Sequence, residues 1–307
     1  MASYSPQSFA LQGPPYHVTQ CAGDIETAKR AFGRLFSRPA TEGNVALGRR
    51  ALFCRISDLL VEVMVPGASA TTLNEFVDRF GHHFHSCAFY VEGIDGLAEH
   101  LRGQGIRIID TDGHRITDKV PIPRFGGTGP VMFTHPADTF GMLEFKERQE
   151  DDGQPEHAPE DAVTSQDDPL GIRKFAYLSI VVTDRSAATS LWQDAFGASL
   201  LSSGTNSVLG TQSNFIRIGA DPGTVIELGE PLESGVVAQE FARTQTSILF
   251  SANFVVGDLE ATLEHVNSVG LGIDAHDDSL ALTESSPDLG ARFGFAQAGA
   301  LSDVLEL

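Results

Sequence analysis

One order of elements recurs four times along this chain of 307 residues. Each copy has a strand-like run, a helix-like run and then more strand-like runs. The first is YHVTQCAGDIETAKRAFGRLF, followed by ALFCRI and LLVEVMV; the second is FHSCAFYVEGIDGLAEHLRGQGIRI, followed by VMFTHP and GMLEFKE. The third is FAYLSIVVTDRSAATSLWQDAFGASL, followed by NFIRI and TVIELGEP; the fourth is LFSANFVVGDLEATLEHVNSVGLGI, followed by ARFGFAQ and SDVLEL. Ala28, Phe32 and Leu35 keep helical spacing in the first copy. Asp24 is placed to cap that helix, and Gly105 to end the next. Short echoes support the repeat: Ala31-Phe32-Gly33 returns as Ala195-Phe196-Gly197, and Glu99-His100 as Glu264-His265. A unit that cannot bury its apolar face alone must stack on its neighbours. The chain is therefore expected to be α+β, with four βαβββ modules forming paired sheets and helices on the outside.

The run ERQEDDGQPEHAPEDAVTSQDDPLG, residues 147–171, is acidic and carries almost no large apolar side chain. It cannot bury enough surface to order itself and reads as a linker. It separates an N-terminal domain, 1–146, from a C-terminal domain, 172–307, each near the roughly 150 residues of a common domain.

The formal net charge is -20. Neutralising phosphates needs a basic face, which argues against a nucleic-acid partner and, for the same reason, against an anionic membrane surface. No apolar run approaches the roughly 18 residues of a spanning helix, and MASYSPQSFALQGPP has neither the basic start nor the apolar stretch of a signal peptide. Cys21, Cys54 and Cys87 are too few for a disulfide framework and fall in strand-like runs. A reduced, cytoplasmic protein is expected.

His17 opens the first module, seven residues before Asp24, and Glu62 sits in its last strand. His85 and Glu144 take the corresponding places in the second module. Imidazole and carboxylate together bind Zn(II), Fe(II), Mn(II), Ni(II) or Co(II).

The modules, with the run from His17 to Asp24, the run VEGIDGLAEHLRGQG and the ending HPADTFGMLEF, resemble the vicinal oxygen chelate superfamily, also called the glyoxalase/bleomycin-resistance/extradiol-dioxygenase superfamily. The resemblance implies that two modules pair their sheets into an open barrel around a cleft. A first strand then supplies a metal ligand, often His, and a last strand another, usually Glu. Carried over, the ligands of a divalent metal are His17, Glu62, His85 and Glu144.

The second half lacks the histidines. Tyr177 stands for His17 and Phe250 for His85, while Glu227 and Glu306 are read at the places of Glu62 and Glu144. On that reading the glutamates report the fold as much as a metal, and the histidines place the chemistry in the N-terminal pair. Counted back from Val91, the ligand slot implied by the resemblance falls on Ser86, one residue past His85. Faces alternate along a strand, so a bulge near Ser86 is needed to turn His85 into the cleft. His83 and His82 are reserves, otherwise solvated loop residues. The loop from Asp112 to Pro130 carries His114, Arg115, Lys119 and Arg124, and Arg115, Lys119 and Arg124 are candidates for a substrate carboxylate or phenolate. His100 and His265 read as surface residues, His135 as a turn residue and Trp192 as buried on its helix.

The expected function is a metal-dependent lyase or isomerase of the glyoxalase type, acting on a small oxygen-chelating substrate through an enolate, with Glu62 or Glu144 moving the proton. Glu62, as a fourth ligand, favours it. Two alternatives stand beside it: an Fe(II) extradiol-type ring-cleavage dioxygenase, and a metal-free protein that sequesters a small molecule. The sequence leaves a homodimer open.

Overall fold

The computed structural model describes residues 9–45, 49–66, 71–117, 122–123, 129–147, 168–220 and 223–302. A short strand β1 (Ala10–Leu11) precedes the first module. That module is β2 (His17–Cys21), α1 (Ile25–Phe36), β3 (Ala40–Val45), β4 (Arg49–Ile56) and β5 (Leu59–Met64). Helix α2 (Thr71–Phe80) leads to the second: β6 (Phe84–Glu92), α3 (Ile94–Gly103), β7 (Ile108–Ile109), β8 (Val131–Thr134), a short α4 (Pro136–Thr139) and β9 (Met142–Lys146). The third is β10 (Ile172–Val181), α5 (Arg185–Phe196), β11 (Ser199–Asn206), β12 (Thr211–Ile218) and β13 (Thr224–Pro231), then α6 (Val236–Thr244). The fourth is β14 (Ile248–Val256), α7 (Leu259–Ser268), β15 (Ile273–His276), β16 (Leu280–Thr283) and β17 (Arg292–Gln297).

In every module the first strand runs parallel to the last: β2 with β5, β6 with β9, β10 with β13 and β14 with β17. The first strands of paired modules run antiparallel, β2 with β6 and β10 with β14. Each half is thus one open sheet, in the order β3-β4-β5-β2-β6-β9-β8-β7 and then β11-β12-β13-β10-β14-β17-β16-β15. The pair Leu249–Phe84 joins the two sheets. The fold is the α+β arrangement of four βαβββ modules in two paired-sheet open barrels.

The fourth module departs from the sequence reading. Its closing strand is ARFGFAQ, not SDVLEL, and Leu280–Thr283 is the strand before it. A four-residue strand is too short for an alternation pattern to reveal. Residues 303–307, with Glu306, lie outside the described residues.

Helices α1, α3, α5 and α7 also depart from expectation, because they lie between the two halves. Phe293 of β17 meets Phe32 and Phe36 of α1 with ring centroids 5.8 and 5.2 Å away, and Phe84 of β6 at 5.7 Å. Phe196 of α5 stacks on Phe145 of β9 at 5.8 Å. One hydrophobic core accordingly draws on all four modules. Removing a ring such as Phe293 from it would cost about 3–5 kcal/mol.

His100 and His265 belong to this seam rather than to the free surface. His265 Nε2 lies 3.0 Å from the carbonyl oxygen of Leu35, and His100 Nε2 lies 3.1 Å from that of Asp194. Both carbonyls belong to the last turn of a helix in the other half, where the helix has no N–H of its own to offer. Gln20 crosses the seam as well: its amide donates to the carbonyl of Leu289 and accepts from the N–H of Ala291, each at 2.8 Å. A side chain on the intervening Gly290, which has φ +92°, would run into that amide.

Asp24 caps α1 by accepting from the N–H of Thr27 at 2.8 Å. Trp192 is fully buried, and the three cysteines are buried free thiols. Among the described residues no helix is long and apolar enough to cross a membrane. Of the acidic segment, residues 148–167 lie outside the described residues.

Candidate metal centre

Strand alternation sorts the N-terminal sheet into two faces. Val18, Val61, Val63, Cys87, Leu143 and Phe145 enter the shared core. The residues between them face the cleft. Register then brings the polar ones together: Thr19 lies beside Glu62, His17 opposite Ala88, and Ala88 beside Glu144. His17 Nε2 sits 3.6 Å from Glu62 Oε2 and 3.5 Å from Glu144 Oε2. Both His17 and Glu62 are buried.

Each carboxylate has a hydroxyl donor. Thr19 donates to Glu62 Oε2 at 2.8 Å, and Tyr16 donates to Glu144 Oε1 at 2.6 Å. The Tyr16 ring is held on three sides: stacked on Tyr90 at 4.3 Å, edge-on to His17 at 4.3 Å, and 5.7 Å below the Lys146 ammonium. Burial alone would raise the Glu144 carboxyl, but His17, Tyr16 and the nearby Lys146 outweigh it and hold it below the usual carboxylate range.

His85 sits in a bulge. Thr19 pairs with Ser86 and Gln20 with Phe84, so His85 is the extra residue on β6. Past the bulge Phe84 falls into the core beside Phe293. His85 shares a face with Ser86, its Nδ1 3.4 Å from the Ser86 hydroxyl. Its ring meets Phe76 of α2 edge-on at 5.0 Å, and Phe76 packs with Cys21, Met64 and Leu73 on the cleft face. His83 is no solvated loop residue. It is buried, and its Nε2 lies 3.2 Å from Glu240 Oε1 of α6. Burial lowers its pKa, opposed by Glu240. That pairing takes it out of reserve as a ligand.

The same registers run through the second half and correct one equivalence. Ser179 lies beside Glu227, which it reaches by a 2.6 Å hydrogen bond, as Thr19 reaches Glu62. Tyr177 faces Asn253 where His17 faces Ala88, and Phe250 is the bulged residue where His85 is in the first half. Asn253 in turn lies beside Gly294. The counterpart of Glu144 is therefore Gly294, not Glu306. A side chain there would run into the Asn253 amide, which donates to the Tyr177 carbonyl and to Ser179 Oγ, each at 3.1 Å. Glu227 is fully buried and also accepts from Ser213 at 2.7 Å and Asn206 at 2.9 Å. With no cation among these donors, burial raises its pKa.

Arg115 is exposed and lines a cavity of about 290 Å³ with Arg102, Arg107 and Ile106, apart from the candidate ligands. Lys119 and Arg124 lie outside the described residues. Asp110, Asp112 and His114 have donor atoms within 4.8 Å of one another, tighter than the set around His17. Their closeness has a local cause. Asp110 Oδ1 accepts from the N–H groups of Asp112 and His114, the hydrogen bonding of an Asx turn in an exposed loop.

Around His17 the spacing of single pairs is that of ligands on one ion. Bonds of about 2.0–2.2 Å place neighbouring ligand atoms roughly 3.0–3.6 Å apart, and the imidazole nitrogen lies 3.5 and 3.6 Å from its two carboxylate oxygens. Sequence reading missed Tyr16, Thr19 and Lys146. Period two, counted from His17 to Thr19 and from Glu144 to Lys146, would have found two of them. Tyr16 precedes the first strand residue and follows no alternation.

No family model matches the chain, and no curated protein does. Solved structures do. A mutant of 4-hydroxymandelate synthase from Streptomyces coelicolor aligns with TM-score 0.66 and 14% identity, over 94% of this chain and 93% of that one. A xylose isomerase-like TIM barrel/4-hydroxyphenylpyruvate dioxygenase fusion protein aligns with TM-score 0.60 and 12% identity, over 98% of this chain and 52% of that one. A hypothetical protein from Staphylococcus aureus aligns with TM-score 0.54 and 10% identity, over 94% of this chain and 99% of that one. At such identities the likeness establishes the fold.

Proposed function

We propose that this chain, which has the vicinal oxygen chelate fold, is a metal-dependent oxygenase whose centre lies in the N-terminal half on His17, His85 and Glu144. One observation carries the reading. The second half keeps a glutamate at the place of Glu62 but has Gly294 at the place of Glu144. Glu62 then belongs to the fold, and Glu144 goes with the histidines. Two imidazoles and one carboxylate are the donor set of non-haem Fe(II) oxygenases. The expected lyase or isomerase leaned on Glu62 as a fourth ligand, and the recurrence of that glutamate in the second half weakens the support. One of the similar structures is in part a dioxygenase by name, which favours the oxygenase further. Proximity of Glu62 Oε2 to His17, 3.6 Å, keeps a second reading in which Glu62 moves a proton in an isomerase.

Bound iron would supply open positions for two neighbouring substrate oxygens and for dioxygen activation. The chain's own residues do the rest. Tyr16 and Thr19 orient the carboxylates. Lys146, only 3% exposed and on the Glu144 side of the cleft, draws an anionic substrate group toward the ligands. Phe76 and Tyr90 wall the site and exclude water.

Elemental analysis of the purified protein beside His17→Ala tests the reading. Stoichiometric iron lost in the variant, with dioxygen consumed on substrate turnover, supports it. Turnover without dioxygen on a redox-inert metal favours the isomerase. No metal in either protein leaves small-molecule sequestration.

A further inference from the structure

We propose that Tyr16 is a positioning residue that makes Glu144 a one-oxygen ligand. The inference rests on the metal centre proposed above and adds a residue to it. Glu144 presents its two oxygens to different partners. Oε1 accepts from the Tyr16 phenol at 2.6 Å, and Oε2 lies 3.5 Å from His17 Nε2. A carboxylate that turns freely can take a metal with both oxygens. One whose Oε1 is engaged by a short O–H donor offers Oε2 alone and leaves one more position for substrate. The phenol is well fixed for this task. Its ring is stacked on Tyr90 and edge-on to His17, both at 4.3 Å, so its oxygen cannot swing away without unstacking.

The second half separates this role from a general need of the fold. The hydroxyl–glutamate pair Thr19–Glu62 recurs as Ser179–Glu227 in a cleft without histidines, so that pair serves the sheet. The phenol–glutamate pair does not recur. Counted back from Tyr177, Ala176 takes the place of Tyr16, and by register Gly294 takes that of Glu144. Tyr16 and Glu144 are present together where the histidines are and absent together where they are not.

Tyr16→Phe removes one oxygen and keeps the ring, so the stack on Tyr90 and the core behind it are retained. The test is Co(II) titration of the wild type, Tyr16→Phe and His17→Ala, followed by visible absorption. Loss of a hydrogen bond to a ligand commonly weakens metal binding by about 10–100-fold. We expect Tyr16→Phe to bind Co(II) at least about tenfold more weakly, with a ligand-field band changed in position and intensity as the coordination number changes. A purely structural tyrosine would move the melting temperature and leave the band alone. If His17→Ala loses Co(II) while Tyr16→Phe matches the wild type in affinity and band, Tyr16 is not a positioning residue and the centre stands. If wild type and His17→Ala bind Co(II) alike, the centre and the role of Tyr16 fall together.

Discussion

Gly294 occupies in the second half the register position that Glu144 holds in the first, each beside the residue that faces the opening strand of its partner module. The exchange removes more than a carboxylate. The Asn253 amide lies where a side chain at 294 would stand, held by the Tyr177 carbonyl.

The two glutamates around His17 should therefore behave differently. Glu144→Gln is expected to weaken Co(II) or Fe(II) binding by at least about tenfold. Glu62→Gln should change it by less than about threefold and act mainly on stability. Parallel metal titrations of the two variants measure the ranking, and equal losses would restore Glu62 as a ligand.

Gly294→Ala puts a methyl group where the Asn253 amide lies. The amide must give up its bonds to the Tyr177 carbonyl and Ser179 Oγ, at a cost of about 2–3 kcal/mol. Urea unfolding reads this directly. A variant as stable as the wild type would mean that the second cleft has room to spare.

Glu227 should control the pH dependence of the second half. Its folded pKa is raised by burial. Its contribution is thus fully present below the ordinary carboxylate range and is lost as pH rises through the raised value. Glu227→Gln should flatten the stability profile above about pH 5 and leave the protein at neutral pH as stable as the wild type or more so. The neighbouring Ser179 and Ser213 hydroxyls can turn from donor to acceptor to suit the amide. A large loss at neutral pH in thermal melts would show that the ionised carboxylate is wanted.

Glu240 has the opposite sign. Burial pushes its carboxyl up, but His83 and Arg243 pull it down to about 2. Its contribution is present above the ordinary carboxylate range and lost as pH falls toward that value. Glu240→Gln should cost on the order of 2 kcal/mol at neutral pH, with the gap to wild type closing below about pH 4. Acid titrations of both proteins, followed by tryptophan fluorescence of Trp192, test the convergence.

The repeat was legible in the sequence because each module carries the same periodicities, and His17 because it stands at a fixed offset from the capping Asp24. The bulge at His85 was legible only as a need: the count of faces was off by one, and pairing to Thr19 and Gln20 supplies the missing residue. What failed to read has two causes. The placement of the helices and the partners of His83, His100 and His265 all depend on contacts across the seam, while Gly294 was missed because the strand before it is too short to show alternation. A local pattern describes which face of a strand is apolar. It does not say whose apolar face will meet it, and here that face belongs to the other half.

Sharing a core has one more outcome. With α1, α3, α5 and α7 packed between them, the two sheets share one core, and the faces that carry His17 and Tyr177 are turned away from it. What the second half supplies is backing. Phe293 braces α1 and β6, and Phe196 braces β9, on the reverse side of the strands that carry His85 and Glu144. The second half thus stiffens the first, and softening it at Phe293 is expected to loosen the spacing of the proposed ligands.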